Sequence, residues 1–122
     1  MPVLFMVELA VTDVVASRRW YESALGLAVT LEDPTTGFVL LEDRRGGRVA
    51  LKPGTPVPGG VVLHFEVPDV EAALVERGLA ADGPVTASVE GYHEAFVRDP
   101  DGYRVSLFAW DRRTGTGAAA RG

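Results

Sequence analysis

The chain has 122 residues, 47% of them hydrophobic, enough for one compact domain with a sizeable core. Twelve Lys and Arg stand against 17 Asp and Glu, a net charge of -5. This disfavours a phosphate-backbone partner, so no nucleic-acid role is expected and a cationic partner is favoured. There is no cysteine, hence no disulfide framework and no thiolate chemistry, and neither a signal-peptide pattern nor an apolar run of membrane-spanning length is present. A cytoplasmic protein with no membrane partner is expected.

In chain order, residues 3–11 form a Val-rich apolar run interrupted only by Glu8, which predicts a strand buried on both faces. Asp13 is placed to cap a following helix and Gly26 to end it in the left-handed conformation. Val15, Ala16, Trp20 and Leu25 are expected on its packed face, and Trp20 and Tyr21 read as packing residues. A short strand over 28–31 precedes two strands over 38–42 and 48–52, joined by the glycine-bearing turn Asp43-Arg44-Arg45-Gly46-Gly47. The first unit is therefore βαβββ. Prolines and glycines over 54–60 mark a linker.

The second unit repeats the plan: strand 61–67, helix 69–77 stopped by Gly78, and strands 85–89, 94–98 and 103–110. Asp99-Pro100-Asp101-Gly102 is its last hairpin turn, with Gly102 available for positive φ. Residues 114–122 read as a flexible tail. The repetition is visible in the letters at a shift of 56: Val11-Thr12-Asp13-Val14 recurs as Val67-Pro68-Asp69-Val70, and Arg48-Val49-Ala50-Leu51 as Arg104-Val105-Ser106-Leu107. Two such units, each too small to fold alone, are expected to share a core.

These pieces, with Trp20-Tyr21, Leu25-Gly26-Leu27 and Phe96-Val97-Arg98-Asp99-Pro100-Asp101-Gly102, resemble the vicinal oxygen chelate superfamily of glyoxalases, extradiol dioxygenases, and fosfomycin- and bleomycin-resistance proteins. The resemblance spans about residues 3–111. It implies an α+β fold of two tandem βαβββ modules whose curved mixed sheets surround a concave cavity. One domain over 1–113 is expected, with module one at 1–53, linker 54–60 and module two at 61–113, and a homodimer is implied. Metal-dependent members place ligands at positions that map here to Met6, Ala50, Val62 and Ser106. Two aliphatic groups, a thioether and one hydroxyl do not make the nitrogen and carboxylate field a divalent ion needs. Neither metal nor cofactor is expected.

Strand alternation sets Glu8 beside Met6 and His64 beside Val62, and the 56-residue shift makes Glu8 and His64 equivalent. The same parity brings Arg48, Lys52, Arg104, Phe108 and Trp110 toward the concave face, and Tyr92 resembles the aromatic that antibiotic-binding members carry ahead of the last hairpin. Glu8, Phe38, His64, Tyr92, Ser106, Phe108 and Trp110 are the candidate ligand-binding residues. The bland alternatives are an ion pair or backbone-bonded core imidazole at Glu8 and His64, solvated strand ends at Arg48 and Arg104, and a dimer contact or barrel cap at Trp110.

The resemblance to bleomycin-resistance proteins implies a binding protein that sequesters an aromatic or cationic natural product. The alternatives are a metal-independent enzyme using Glu8 and His64 as an acid-base pair, and a displaced metal site built from His64, His93 and Glu8.

Overall fold

The computed structural model describes residues 1–111, so the tail expected over 114–122 lies outside the described residues. The chain orders its elements as β1 (Val7–Val11), α1 (Val14–Leu25), β2 (Ala28–Asp33), β3 (Phe38–Glu42) and β4 (Arg48–Pro53), then β5 (Val62–Glu66), α2 (Val70–Glu76), β6 (Thr86–Ala87), β7 (Tyr92–Arg98) and β8 (Arg104–Trp110). Two four-stranded mixed sheets result, ordered β1-β4-β3-β2 and β5-β8-β7-β6. Each has one parallel pair, β1 with β4 and β5 with β8, as a βαβββ module requires.

The 56-residue repeat is a repeat of register. Glu8 lies opposite Ala50 and Leu40 opposite Ala50 in the first sheet; His64 lies opposite Ser106 and Phe96 opposite Ser106 in the second. The helix starts repeat too. Asp13 Oδ1 accepts from the Ala16 amide at 3.1 Å, and Asp69 Oδ1 from the Ala72 amide at 2.9 Å. Each cap satisfies one amide that the first helical turn would leave without a partner. Gly26 ends α1 at φ 71 as expected. In the second module Gly78, at φ 63, occupies the position equivalent to Glu22, and α2 ends after 7 residues where α1 runs for 12.

Among the described residues two compact units emerge: residues Met1–Gly60 with the turn Asp99–Tyr103, and residues Val61–Arg98 with β8. In the first, α1 packs on β3 and β4, and Leu9, Val11, Val39, Leu41, Val49 and Leu51 are buried. The helix presents Ser17, Tyr21 and Ala24 to this core, which corrects the expected face of Val15, Ala16, Trp20 and Leu25; Val15 is 50% exposed. Polar chemistry overrides the apolar pattern here. The Tyr21 hydroxyl donates to Asp99 Oδ2 at 2.7 Å, which lets a phenol occupy a fully buried position. Burial first, and the hydrogen bond to Asp99 second, push the Tyr21 phenol far above its ordinary range.

Further strand boundaries differ from expectation. The first strand begins at Val7 rather than residue 3, leaving Val3 and Leu4 86% and 80% exposed. Phe5 instead lies under the Arg48 guanidinium, 4.4 Å from the ring centroid, and its carbonyl accepts from Arg48. The strand expected over 85–89 shrinks to Thr86–Ala87. It is bounded by Gly83 at φ 102 and by the turn closed by the Gly91 amide on the Ser88 carbonyl. Within the expected linker, Pro58–Gly60 forms a short 3-10 turn.

Candidate functional site in the second unit

The hairpin turn at Asp99–Tyr103 determines which side chains of the second sheet stand together. Asp99 Oδ1 accepts from the amides of Asp101 and Tyr103, each at 2.9 Å, and Gly102 takes φ 88. With that turn closed, β7 and β8 pair as Arg98 with Arg104, Phe96 with Ser106, Glu94 with Phe108 and Tyr92 with Trp110. Directly opposed residues share a face. The alternate residues, Ala95, Val97, Val105 and Leu107, are buried, and α2 packs on β7 and β8.

On the remaining face, Tyr92, Phe108 and Trp110 form a half-buried cluster. Their centroids are 5.6 Å apart for Tyr92–Phe108, 5.7 Å for Tyr92–Trp110 and 5.6 Å for Phe108–Trp110, all edge to face. This geometry satisfies the ring quadrupoles among themselves. The cluster is a packed apolar platform, with its outer surface available for contact. Tyr92 is the first residue of β7, held opposite Trp110, so it belongs to a strand and not to the preceding turn.

Next to the platform is a polar group. Ser106 is fully buried and its hydroxyl donates to Glu94 Oε1 at 2.6 Å. His64 Nδ1 lies 3.9 Å from the same oxygen, with the imidazole half-exposed and its ring 6.4 Å from Phe108. Arg104 is stacked over Phe96 at 3.9 Å from the centroid. Five of the candidate residues, His64, Tyr92, Ser106, Phe108 and Trp110, thus stand on one sheet face. Glu8 and Phe38 belong to the first unit: Glu8 is exposed opposite Ala50, and Phe38 lines a hollow of about 220 Å³ with Val14, Val15 and Pro34.

Glu94 is the residue that sequence reasoning passed over. Its signal was present, because a hairpin closing at Arg98 and Arg104 puts Glu94 opposite Phe108 by counting alone. The strand expected over 94–98 already holds Glu94; what the letters do not carry is its hydrogen bond from the buried Ser106 hydroxyl.

Of the family's metal positions, Ala50 and Ser106 are buried and Ser106 spends its hydroxyl on Glu94. Met6 and Val62 add a thioether and an alkyl group. These donors do not fit a divalent ion. Among the described residues no group of three His, Cys, Asp or Glu is placed to hold one. The displaced site is corrected as well: His93 lies opposite Ala109 and pairs through Nδ1 with Asp111, whereas His64 lies opposite Ser106. The two imidazoles occupy opposite faces of one sheet. On the His93 face is a larger polar hollow of about 610 Å³, lined in part by Asp69, Glu71, Val85 and Asp111.

The Glyoxalase/Bleomycin resistance protein/Dioxygenase superfamily model matches residues 3–107. The chain belongs to that superfamily. Among solved structures it is similar to TnmS3, an antibiotic binding protein from Streptomyces sp. CB03234. There the identity is 23%, with 91% of this chain and 98% of that one covered at a TM-score of 0.74. It is similar to TioX from Micromonospora sp. ML1 at 25% identity, covering 88% and 95% with a TM-score of 0.66. A glyoxalase/bleomycin resistance protein/dioxygenase from Nocardioides gives 21% identity, coverage of 91% and 85%, and a TM-score of 0.72. No curated protein matches. The superfamily holds both antibiotic-binding proteins and enzymes, and its fold alone does not choose between them.

Proposed function

We propose that this protein binds and sequesters a small aromatic natural product of the antibiotic type, without turning it over. The observation that carries the reading is the Tyr92–Phe108–Trp110 platform on one face of the second sheet. Aromatic surface of this kind supplies large apolar contact at little cost in side-chain entropy, while a few polar groups fix orientation. His64, Glu94 and Ser106 supply those groups. The described relative TnmS3 is an antibiotic binding protein, which supports the same use of this fold. Sequestration needs affinity and no chemistry, and the absent metal donors at Met6, Ala50, Val62 and Ser106 agree with it.

The reading includes a cytoplasmic homodimer. Lack of cysteine suits a reducing compartment. The exposed apolar run Val3, Leu4 and Phe5, leading into edge strand β1, supports association between copies.

A second reading, a metal-independent enzyme, draws on the imidazole of His64 beside the carboxylate of Glu94, a pair capable of proton transfer to a bound ligand. One experiment separates the two. The purified protein is screened by thermal shift against aromatic and glycopeptide-type natural products, and every hit is followed by mass spectrometry. Stabilisation without a change of ligand mass is expected. A new mass formed at catalytic ratios replaces sequestration by the enzyme reading.

A further inference from the structure

Four charged or titratable side chains, Glu66, Glu94, His64 and Arg104, lie on the strands around the platform, and their placement is not even. Phe108 is flanked across the sheet by Glu66 on β5 and by Glu94 on β7, each directly opposite it in register. Neighbouring strands lie about 4.8 Å apart, so the backbones of both glutamates stand one strand spacing from that of Phe108, on the same sheet face. A cation set over the face of Phe108 would have a glutamate on either side of it in the same row.

Glu94 is also primed to accept. Its side chain is 15% exposed, and Oε1 is taken by the buried Ser106 hydroxyl, which orients the carboxylate and leaves Oε2 for an incoming donor. The basic groups on this face are differently disposed. Arg104 is stacked on Phe96, in the row beyond, and His64 lies at 3.9 Å from Glu94 without reaching hydrogen-bond distance. No basic side chain occupies the row that holds Phe108.

We infer that this face selects ligands that carry a cationic nitrogen on a planar aromatic frame, the ring lying on the Tyr92–Trp110 platform and the cation held between Glu66 and Glu94 over Phe108. The inference rests on the binding reading above and narrows it to one ligand class. It also assigns Glu94, with Glu66, as the specificity-determining residue. Ser106 is a positioning residue that acts through Glu94.

The test uses the full chain and three tricyclic probes of similar shape: 9-aminoacridine, cationic at neutral pH; acridone, neutral; and acridine-9-carboxylate, anionic. Affinities are read by probe fluorescence at fixed ionic strength. The cation is expected to bind at least tenfold more tightly than the anion, with acridone between them. Glu94→Gln keeps the shape and the Ser106 hydrogen bond, and it should reduce the cation-to-anion ratio about tenfold while leaving acridone affinity within twofold. Glu66→Gln should reduce the ratio less, since Glu66 is exposed. Thermal melts of both variants confirm folding. Binding of acridone with no preference for the cation overturns the inference and leaves the binding reading standing. A cation preference that survives both substitutions also overturns it. Failure of all three probes to bind at millimolar concentration overturns the inference together with the platform on which it depends.

Discussion

The two modules place equivalent residues in the same register and fill those positions with different chemistry. Where the second has His64, Ser106, Phe108, Glu94, Tyr92 and Trp110, the first has Glu8, Ala50, Lys52, Phe38, Thr36 and Gly54. The aromatic platform therefore has no counterpart in the first sheet, where β3 starts at Phe38 and β4 ends at Pro53, so that Thr36 and Gly54 fall outside the strands that Tyr92 and Trp110 extend in the second. The first unit has a different elaboration. Its two hairpin turns, Asp43 to Gly47 and Asp99–Tyr103, share one design, with an aspartate Oδ1 accepting two amides and a glycine at positive φ. Only Asp99 also takes a buried phenol. On a common frame, side-chain differences give the second module the aromatic cluster that makes it the candidate binding face.

The largest effect expected from breaking that symmetry is at the aspartates. Asp99→Ala leaves the buried Tyr21 hydroxyl and the Tyr103 amide without their acceptor, and should destabilise the fold by about 2–4 kcal/mol. The equivalent Asp43→Ala removes two bonds to solvent-exposed turn amides, which water replaces, and should cost about 1 kcal/mol or less. Urea denaturation of both variants measures the difference. Equal losses would show that the phenol adds nothing.

A pH titration sharpens the same point. The Tyr21 phenol is raised in the folded protein, so above about pH 10 the unfolded chain gives up a proton that the folded chain keeps. Its contribution is fully present below that pH. Above it, stability should fall by up to about 1.4 kcal/mol per pH unit from this group. Tyr21→Phe should cost about 1–3 kcal/mol at neutral pH through the lost charge-assisted bond to Asp99. It should also make the decline above pH 10 shallower than in the wild type. Parallel declines in the two proteins would contradict the buried, hydrogen-bonded phenol.

Much of this was legible in the letters, and the exceptions have physical causes. The cap at Asp13, the stop at Gly26 and the turn at Gly102 depend on local backbone requirements that few residues meet, so local sequence identifies them, whereas Asp69, expected as the first residue of the second helix, is its cap. The face of α1 was misjudged because Tyr21 is buried through a partner 78 positions away, which no helical period contains. Residues 3–6 have strand-like letters but no neighbour in the sheet, and an apolar run without a pairing partner does not become a strand. Glu94 lies inside the strand expected over 94–98, but its partner Ser106 is twelve positions away on the neighbouring strand, a pairing that only the sheet brings about.

For the platform, Tyr92→Ala and Trp110→Ala should each weaken binding of an aromatic probe several-fold, because each removes contact area and about 0.5–1.5 kcal/mol of ring-ring interaction. Each also gives up two edge-to-face contacts within the cluster, so the melting temperature should fall by roughly a few degrees while both variants stay folded at assay temperature. Retained affinity in the two variants removes the ground for the binding proposal. Phe38→Ala, at the edge of the first-unit hollow, serves as the contrasting substitution in the other module.

The smallest effect concerns the pair that the repeat makes equivalent. His64 stands 3.9 Å from Glu94 and 6.4 Å from the Phe108 ring, so His64→Asn removes an edge of the site and should lower affinity for a neutral aromatic probe by about two- to fivefold. Glu8 is exposed in a row with Ala50 and Leu40, which offer it no polar partner. An exposed carboxylate so placed interacts weakly through high-dielectric solvent, and Glu8→Gln should change affinity by less than twofold. Isothermal titration of the two single variants and their double variant gives the coupling directly. If Glu8→Gln weakens binding as much as His64→Asn, and the double variant loses less than their sum, both modules contribute to one ligand site and the division of roles between them has to be withdrawn.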